Sequence, residues 1–200
     1  PAVQDLRRTV RKRSAELGFY TAFGDEALGG GGLGAQAAVY VQERVNTHCG
    51  PARVLVQTVV LPSPFTNGLS PVLKHLDPEV LAEHRDGLAS GDKTMCFGLS
   101  EPDAGSDVFG MRTRAVRGSK QWITNSPYAD YAMIFAITDE EKVAARKGGI
   151  SGFFVRTDTP GFSVPSVIPI MGHLGADIGI VHLDQLRVPD RQRLGPLHKG

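Results

Sequence analysis

The spacing of apolar residues along the chain changes near residue 93. Ahead of that point Val3, Leu6, Val10 and Leu17 recur at intervals of three, four and seven, the period of one helix face, and Gly18 follows where a helix would be capped. Arg7, Arg8, Arg11, Lys12 and Arg13 make this helix basic, which reads as a solvated face, with contact to an acidic element left open. Ala37, Val41 and Val45, with Ala38 beside them, give a second helix. Ser70-Pro71 and Asp77-Pro78 each place a capping side chain before a proline at the first helical position, so two short helices are expected to start there. Beyond Ser90-Gly91-Asp92 the runs shorten and fill with β-formers. Strands are expected over 94–99, 111–116, 121–124, 131–137, 152–155, 162–168 and 178–188, with residues 158–161 (Asp-Thr-Pro-Gly) as a turn. The expected fold class is α+β and multidomain: an all-helical domain over 1–93, then a β-barrel or sandwich domain over 94–200.

Composition narrows the picture without naming a chemistry. The chain has 200 residues, 41% hydrophobic and 22% charged, which is enough apolar material for a real core. A formal net charge of +1 argues against nucleic-acid wrapping, and no run approaches the ~20 apolar residues needed to cross a bilayer. No targeting leader is recognisable, and the sequence begins at Pro1 rather than Met. Cys49 and Cys96 sit in no ligand pattern and read as small core hydrophobes, which weakly favours a reducing compartment. Gly29 to Gly32 precede Leu33-Gly34 without the Lys-Ser/Thr ending of a phosphate loop. The six histidines show no paired helical spacing, so no metal site is expected, and no G-x-S-x-G supports a hydrolase.

One segment is more specific. Phe97-Gly98-Leu99-Ser100-Glu101-Pro102-Asp103-Ala104-Gly105-Ser106-Asp107 closely resembles the signature of the acyl-CoA dehydrogenases. Lys120-Gln121-Trp122-Ile123-Thr124-Asn125, Asp158-Thr159-Pro160-Gly161-Phe162 and Arg187-Val188-Pro189 follow in the order of that family's middle β domain. The helical part, with Gly29-Gly30, Leu33-Gly34 and Ser90-Gly91-Asp92, is similar to the family's first domain. Taken singly, Trp122 reads as a half-buried aromatic, Ser100 and Thr124 as β-formers with satisfied hydroxyls, Ser106-Asp107 as a cap or Asx turn, and Glu101 and Asp103 as turn structure. Their joint spacing carries the resemblance.

The resemblance implies FAD as cofactor and an acyl-CoA thioester as substrate. It assigns flavin support to Phe97, Leu99, Ser100, Trp122, Ile123 and Thr124 and acyl-CoA contact to Ser106, with Ala104 to Asp107 as a tight turn. Trp122 would pack on the isoalloxazine, and Ser100 and Thr124 would offer hydroxyl donors to it, the latter near N5, where charge develops on reduction. The implied reaction is oxidation to a 2-enoyl-CoA by α-proton removal and β-hydride transfer. An electron-transferring flavoprotein and a homodimer or homotetramer are the implied partners. The implied location is bacterial cytoplasm or mitochondrial matrix. Lys142, Arg146 and Lys147 read as a solvated basic turn, with a contact to CoA phosphates left open.

Two departures stand out. The family's short hairpin before its Gly-Thr/Ser-Lys is reduced here to Arg117-Gly118, and the segment 171–177 lacks the Arg common there. The family's third domain, a helical bundle that carries the catalytic base, would begin where this sequence stops at Gly200, so no catalytic residue is expected in this chain. An acyl-CoA oxidase and a truncated, non-catalytic flavin- or CoA-binding module remain competing readings.

Overall fold

A computed structural model describes residues 2–52, 60, 68–114, 117–172 and 177–200. Helices α1 (Ala2–Glu16), α2 (Ala35–His48) and α3 (Pro78–Ala89) precede strand β1 (Met95–Gly98). Then come β2 (Arg117–Thr124), β3 (Tyr131–Ile137), the short helix α4 (Glu140–Ala144), β4 (Ile150–Arg156), β5 (Phe162–Ile168), β6 (Ile178–Asp184) and the two-residue β7 (Arg193–Leu194). One sheet has the order β1-β3-β4-β7 and the other β2-β6-β5. The α+β reading therefore holds. None of the described helices is long and apolar enough to cross a membrane.

Strand β3 shows why the two layers stack as they do. Successive strand residues point to opposite faces, and all seven of its positions are buried. Tyr131, Met133, Phe135 and Ile137 join Leu73, Val80 and Leu88 of the helical part in one apolar cluster. Ala132 and Ile134 instead meet Val181 and Leu183 of β6 in a second cluster between the sheets, with Cys96 and Ile123. The helical part thus packs on one face of the first sheet and the second sheet on the other.

Local signals act as expected at several ends. The Asp77 carboxylate accepts the amides of Glu79 (2.9 Å) and Val80 (3.3 Å), and α3 starts at Pro78. Ser70 caps a 3-10 turn over Pro71–His75, shorter than a helix. The glycine run serves backbone packing: the amides of Gly31 and Gly32 donate to the carbonyls of Thr21 and Gly24. A Cβ on Gly30 would collide with the Gly24 main chain, and one on Gly31 would lie 2.7 Å from the Ala22 carbonyl oxygen.

Helix α1 departs from its expected orientation. Val3, Leu6 and Leu17 are exposed, while Arg7, Arg11 and Ser14 are buried. Two main-chain carbonyls on the docking surface take donors rather than apolar groups. Arg11 Nε donates to Gly91 O (3.1 Å) and Ser14 Oγ to Val60 O (2.7 Å). Arg8 and Lys12, on the rim, bind Asp92 at 3.2 and 3.0 Å. The basic face is therefore the inner face at Arg7 and Arg11 and solvated only around them.

Two strand expectations change. Met111 to Thr113 form no strand, because the amides of Arg112 and Thr113 go to the Glu101 side chain rather than to a neighbouring strand. Residues 115 and 116, the rest of that expected strand, lie outside the described residues. The expected strand over 178–188 ends at Asp184, where Gln185 takes a φ of 51°. At the reduced hairpin, Arg114 and Arg117 exchange both main-chain hydrogen bonds (3.0 and 3.1 Å), and β2 then pairs with β6 from Arg117↔Asp184 onward.

Candidate functional site

The two segments that carry the expected flavin contacts lie side by side. Strand β1 pairs in parallel with β3 and runs out past Gly98 toward Ser100. Strand β2 pairs with β6, but the register skips between Lys120 and Ile123. Gln121, freed from β6 by this bulge, donates its amide to Ser100 O at 2.9 Å. That bond ties the end of β1 to the middle of β2.

Trp122 occupies the bulge. Its φ is 62°, a left-handed conformation that a bulky residue adopts at a cost of about 1–3 kcal/mol, and such positions concentrate at functional sites. Trp122 is 55% exposed, on a strand whose next residue, Ile123, is fully buried. A large aromatic held outward by a strained backbone is a flat platform ready to be covered. Thr124 stands two residues beyond it on β2, and Ser100 lies on the neighbouring edge, tied to β2 through Gln121. Both residues are half-buried, and neither side chain is hydrogen-bonded to another described residue.

The remaining expected site residues separate. Phe97 stacks tilted on Phe135 (5.0 Å between centroids), and it and Leu99 pack against the first apolar cluster. Ile123 packs its side chain into the core between the sheets, which leaves its main chain alone for the expected flavin support. Ser106 is exposed in the loop beyond β1 and makes no side-chain hydrogen bond among the described residues. The tight turn falls earlier than expected: Glu101 and Ala104 exchange both main-chain hydrogen bonds (2.9 and 3.2 Å), leaving Pro102-Asp103 at its tip. Asp107 caps the next 3-10 turn by accepting the Phe109 amide (3.2 Å). Arg146 donates to Asp107 (2.6 Å) and lies over the Phe109 ring (5.5 Å), so the basic turn clamps the loop that holds Ser106. The hydrogen bond from Arg146 holds the Asp107 carboxyl below the usual range.

Two residues before Trp122 on β2, Lys120 forms a buried charged pair with Glu101, a residue that reads in the sequence only as turn structure. Lys120 Nζ donates to Glu101 Oε1 at 2.7 Å and to Leu99 O at 3.3 Å, with both side chains buried. The Glu101 carboxylate also accepts the amides of Arg112 (2.6 Å) and Thr113 (3.1 Å). Burial pushes the Glu101 carboxyl up, and the donors from Lys120, Thr113 and Arg112 outweigh it, leaving it below the usual range. For Lys120 burial dominates and lowers the pKa against the pull of Glu101. The two directions oppose each other. The carboxylate decides, because two amides hold it ionised independently of Lys120, and an anion at 2.7 Å retains the ammonium proton. The sequence carried no local signal of burial, since Ser119 and Gln121 flank Lys120, and Ser100 and Pro102 flank Glu101. Nineteen residues separate them, so spacing alone could not pair them.

Among the described residues, no three His, Cys, Asp or Glu side chains gather as a metal-binding group. The donor set here is a flat indole with two free hydroxyls, the chemistry that suits a planar, polar-edged ring.

Residues 96–186, from β1 through β6, match the acyl-CoA dehydrogenase middle domain. A probable acyl-CoA dehydrogenase of Bacillus subtilis is 34% identical over 94% of this chain and 50% of its own length. The caffeyl-CoA reductase-Etf complex subunit CarC of Acetobacterium woodii is 32% identical over 98% of this chain and 52% of its own. The structure of a glutaryl-CoA dehydrogenase from Mycobacterium smegmatis in complex with FADH2 superposes with a TM-score of 0.74 at 28% identity, covering 96% of this chain and 48% of that one. The chain spans half or less of the length of the first curated relatives it matches. Because the likeness runs through both the helical and the β part, and the platform falls inside the matched domain, the chain belongs to the acyl-CoA dehydrogenase family.

Proposed function

We propose that this chain supplies the flavin-binding and acyl-CoA-binding surfaces of an enzyme that oxidises an acyl-CoA thioester to its 2-enoyl product. The observation that carries this reading is the outward-held Trp122, strained at φ 62° beside the Ser100–Gln121 hydrogen bond. When bound, FAD would supply the hydride acceptor. Trp122 would cover one face of the ring system and exclude water there. Ser100 and Thr124 would donate hydrogen bonds to its polar edge, where a fixed donor favours the electron-rich form. Phe97 and Leu99 would set the position of these groups from beneath, as core residues. Ser106, on the loop clamped by Arg146, would meet the acyl-CoA.

This chain's carboxylates near the site are poor candidates for the base that removes the α-proton. Glu101 is enclosed by Lys120 and two amides, Asp107 is bound by Arg146, and Asp103 pairs with Arg112 at 3.1 Å. We assign that proton to a group outside the residues described. The A. woodii relative is named as part of an Etf complex, which supports an electron-transferring flavoprotein as the oxidising partner.

Trp122 is the only tryptophan, so its fluorescence reports the site directly. Titration with FAD is expected to quench it. Equilibrium dialysis of Trp122→Ala should show FAD held about tenfold more weakly, the loss of an aromatic stacking contact of ~1.5 kcal/mol. Equal retention of FAD by parent and variant overturns the assignment.

A further inference from the structure

We propose that the buried Lys120–Glu101 pair is a positioning device, which locks the Ser100 end of β1 to the Trp122 bulge of β2 and so sets the spacing of the groups that face the flavin. The proposal rests on the flavin reading above and adds to it residues that touch no ligand.

The pair joins three separate stretches of chain. Lys120 is the last β2 residue before the bulge, still in register with Val181. Its ammonium reaches across to Leu99 O in the segment leaving β1, and to Glu101 at the start of the turn. Glu101 in turn gathers the amides of Arg112 and Thr113. Gly98 leaves room for Ile134 beside the Lys120 stem: a Cβ there would lie 2.6 Å from Ile134 Cδ1, with Lys120 Cγ at an ordinary contact distance of 3.7 Å. One residue beyond Lys120, the Gln121 amide bonds Ser100 O, and one further on stands Trp122. The Trp122 bulge and the main chain at Ser100 are therefore both anchored next to the same ion pair.

The choice of charges has a physical reason. Well-packed apolar groups often stabilise a core as well as a buried ion pair does. Here an apolar pair would leave Leu99 O without its lysine donor and the Arg112 and Thr113 amides without an acceptor, and buried main-chain groups need partners. The ion pair satisfies all three and does so in only one register. A one-residue slip of β2 would turn Lys120 to the opposite face and break every bond at once. Direction and register, rather than net stability, are what the pair supplies.

The test uses the purified protein and two variants. Glu101→Gln leaves the lysine unpaired and is expected to lower stability. The near-isosteric double variant Glu101→Gln with Lys120→Met carries no buried charge and should keep its fold. Two readouts follow. Without flavin, hydrogen exchange at the Gln121 amide should quicken about tenfold or more in the double variant, the loss of a charge-assisted bond, while the β3 amides keep their protection. With FAD, the double variant should bind about tenfold more weakly, and its flavin absorption band should move toward that of free FAD. Unchanged Gln121 exchange, or parental FAD affinity with a parental band, overturns the proposal. A parent protein that takes up no FAD sinks the flavin reading, while the exchange readout still decides whether the pair locks the two strands.

Discussion

Strand β3 is buried at all seven of its positions, and helix α2 at none of its fourteen. Both are regular, and both carry apolar residues. The difference lies in what surrounds them. β3 has a sheet partner on each side, the helical part on one face and the second sheet on the other, so its hydrogen bonds and side chains are satisfied by elements of this chain. α2 leaves Val39 and Tyr40 more than 60% exposed, and its Ala37, Val41 and Val45 face is only partly covered. A helix of this length is marginal in water without tertiary packing. Regular structure and a completed core are therefore separate properties, and this molecule shows one without the other in α2.

If the contrast is right, stability should follow it. Phe154 is fully buried, stacked on Tyr131 at 4.9 Å and tilted on His84 at 5.5 Å. Phe154→Ala should cost about 3–5 kcal/mol in denaturant unfolding, the largest effect of the set. A cost below that of a surface change would break the contrast at its strong end. Arg11→Ala removes a buried, charged donor from Gly91 O, and should cost about 1.5–3 kcal/mol. The loss should fall on α1, read as faster amide exchange there with β3 protection unchanged. Uniform loss across both regions would show that α1 and the sheets unfold as one.

Acid should sharpen the same boundary with a smaller effect. Hydrogen bonds from Lys12 and Arg8 hold the Asp92 carboxyl below its ordinary value of 3.8. A depressed carboxylate pKa contributes stability that is complete above the unfolded value and disappears as pH falls through the folded one. Protection of α1 should therefore hold down to about pH 4 and fall below it, and Asp92→Asn should show the lower level at neutral pH already. A variant whose α1 protection matches the parent at pH 7 would remove Asp92 as an anchor. Val39→Ser should change stability least, within about 0.5 kcal/mol. A larger loss would mean that α2 is covered in solution.

Much of the β region was legible in the sequence. The strands over 131–137 and 162–168 were placed to the residue, because dense β-formers bounded by turn residues leave few alternatives. The Asp77-Pro78 cap was legible because its bonds are made within three residues. The 111–113 segment was not, since its amides answer to Glu101, ten or more residues away. In the site, the motif placed Ser100, Trp122 and Thr124 on neighbouring edges. It could not show that Ile123 turns into the core or that Trp122 sits on a bulge.

What the sequence determined by itself are the elements and the chemical groups: local propensity, caps and turn residues act over a few positions and need no partner to be read. The tertiary structure alone decided which face of α1 goes inward, which amides Glu101 collects and which way Trp122 points. Each of these depends on a polar group finding a partner distant in sequence. Burial makes that pairing obligatory, and no periodicity along the chain records it.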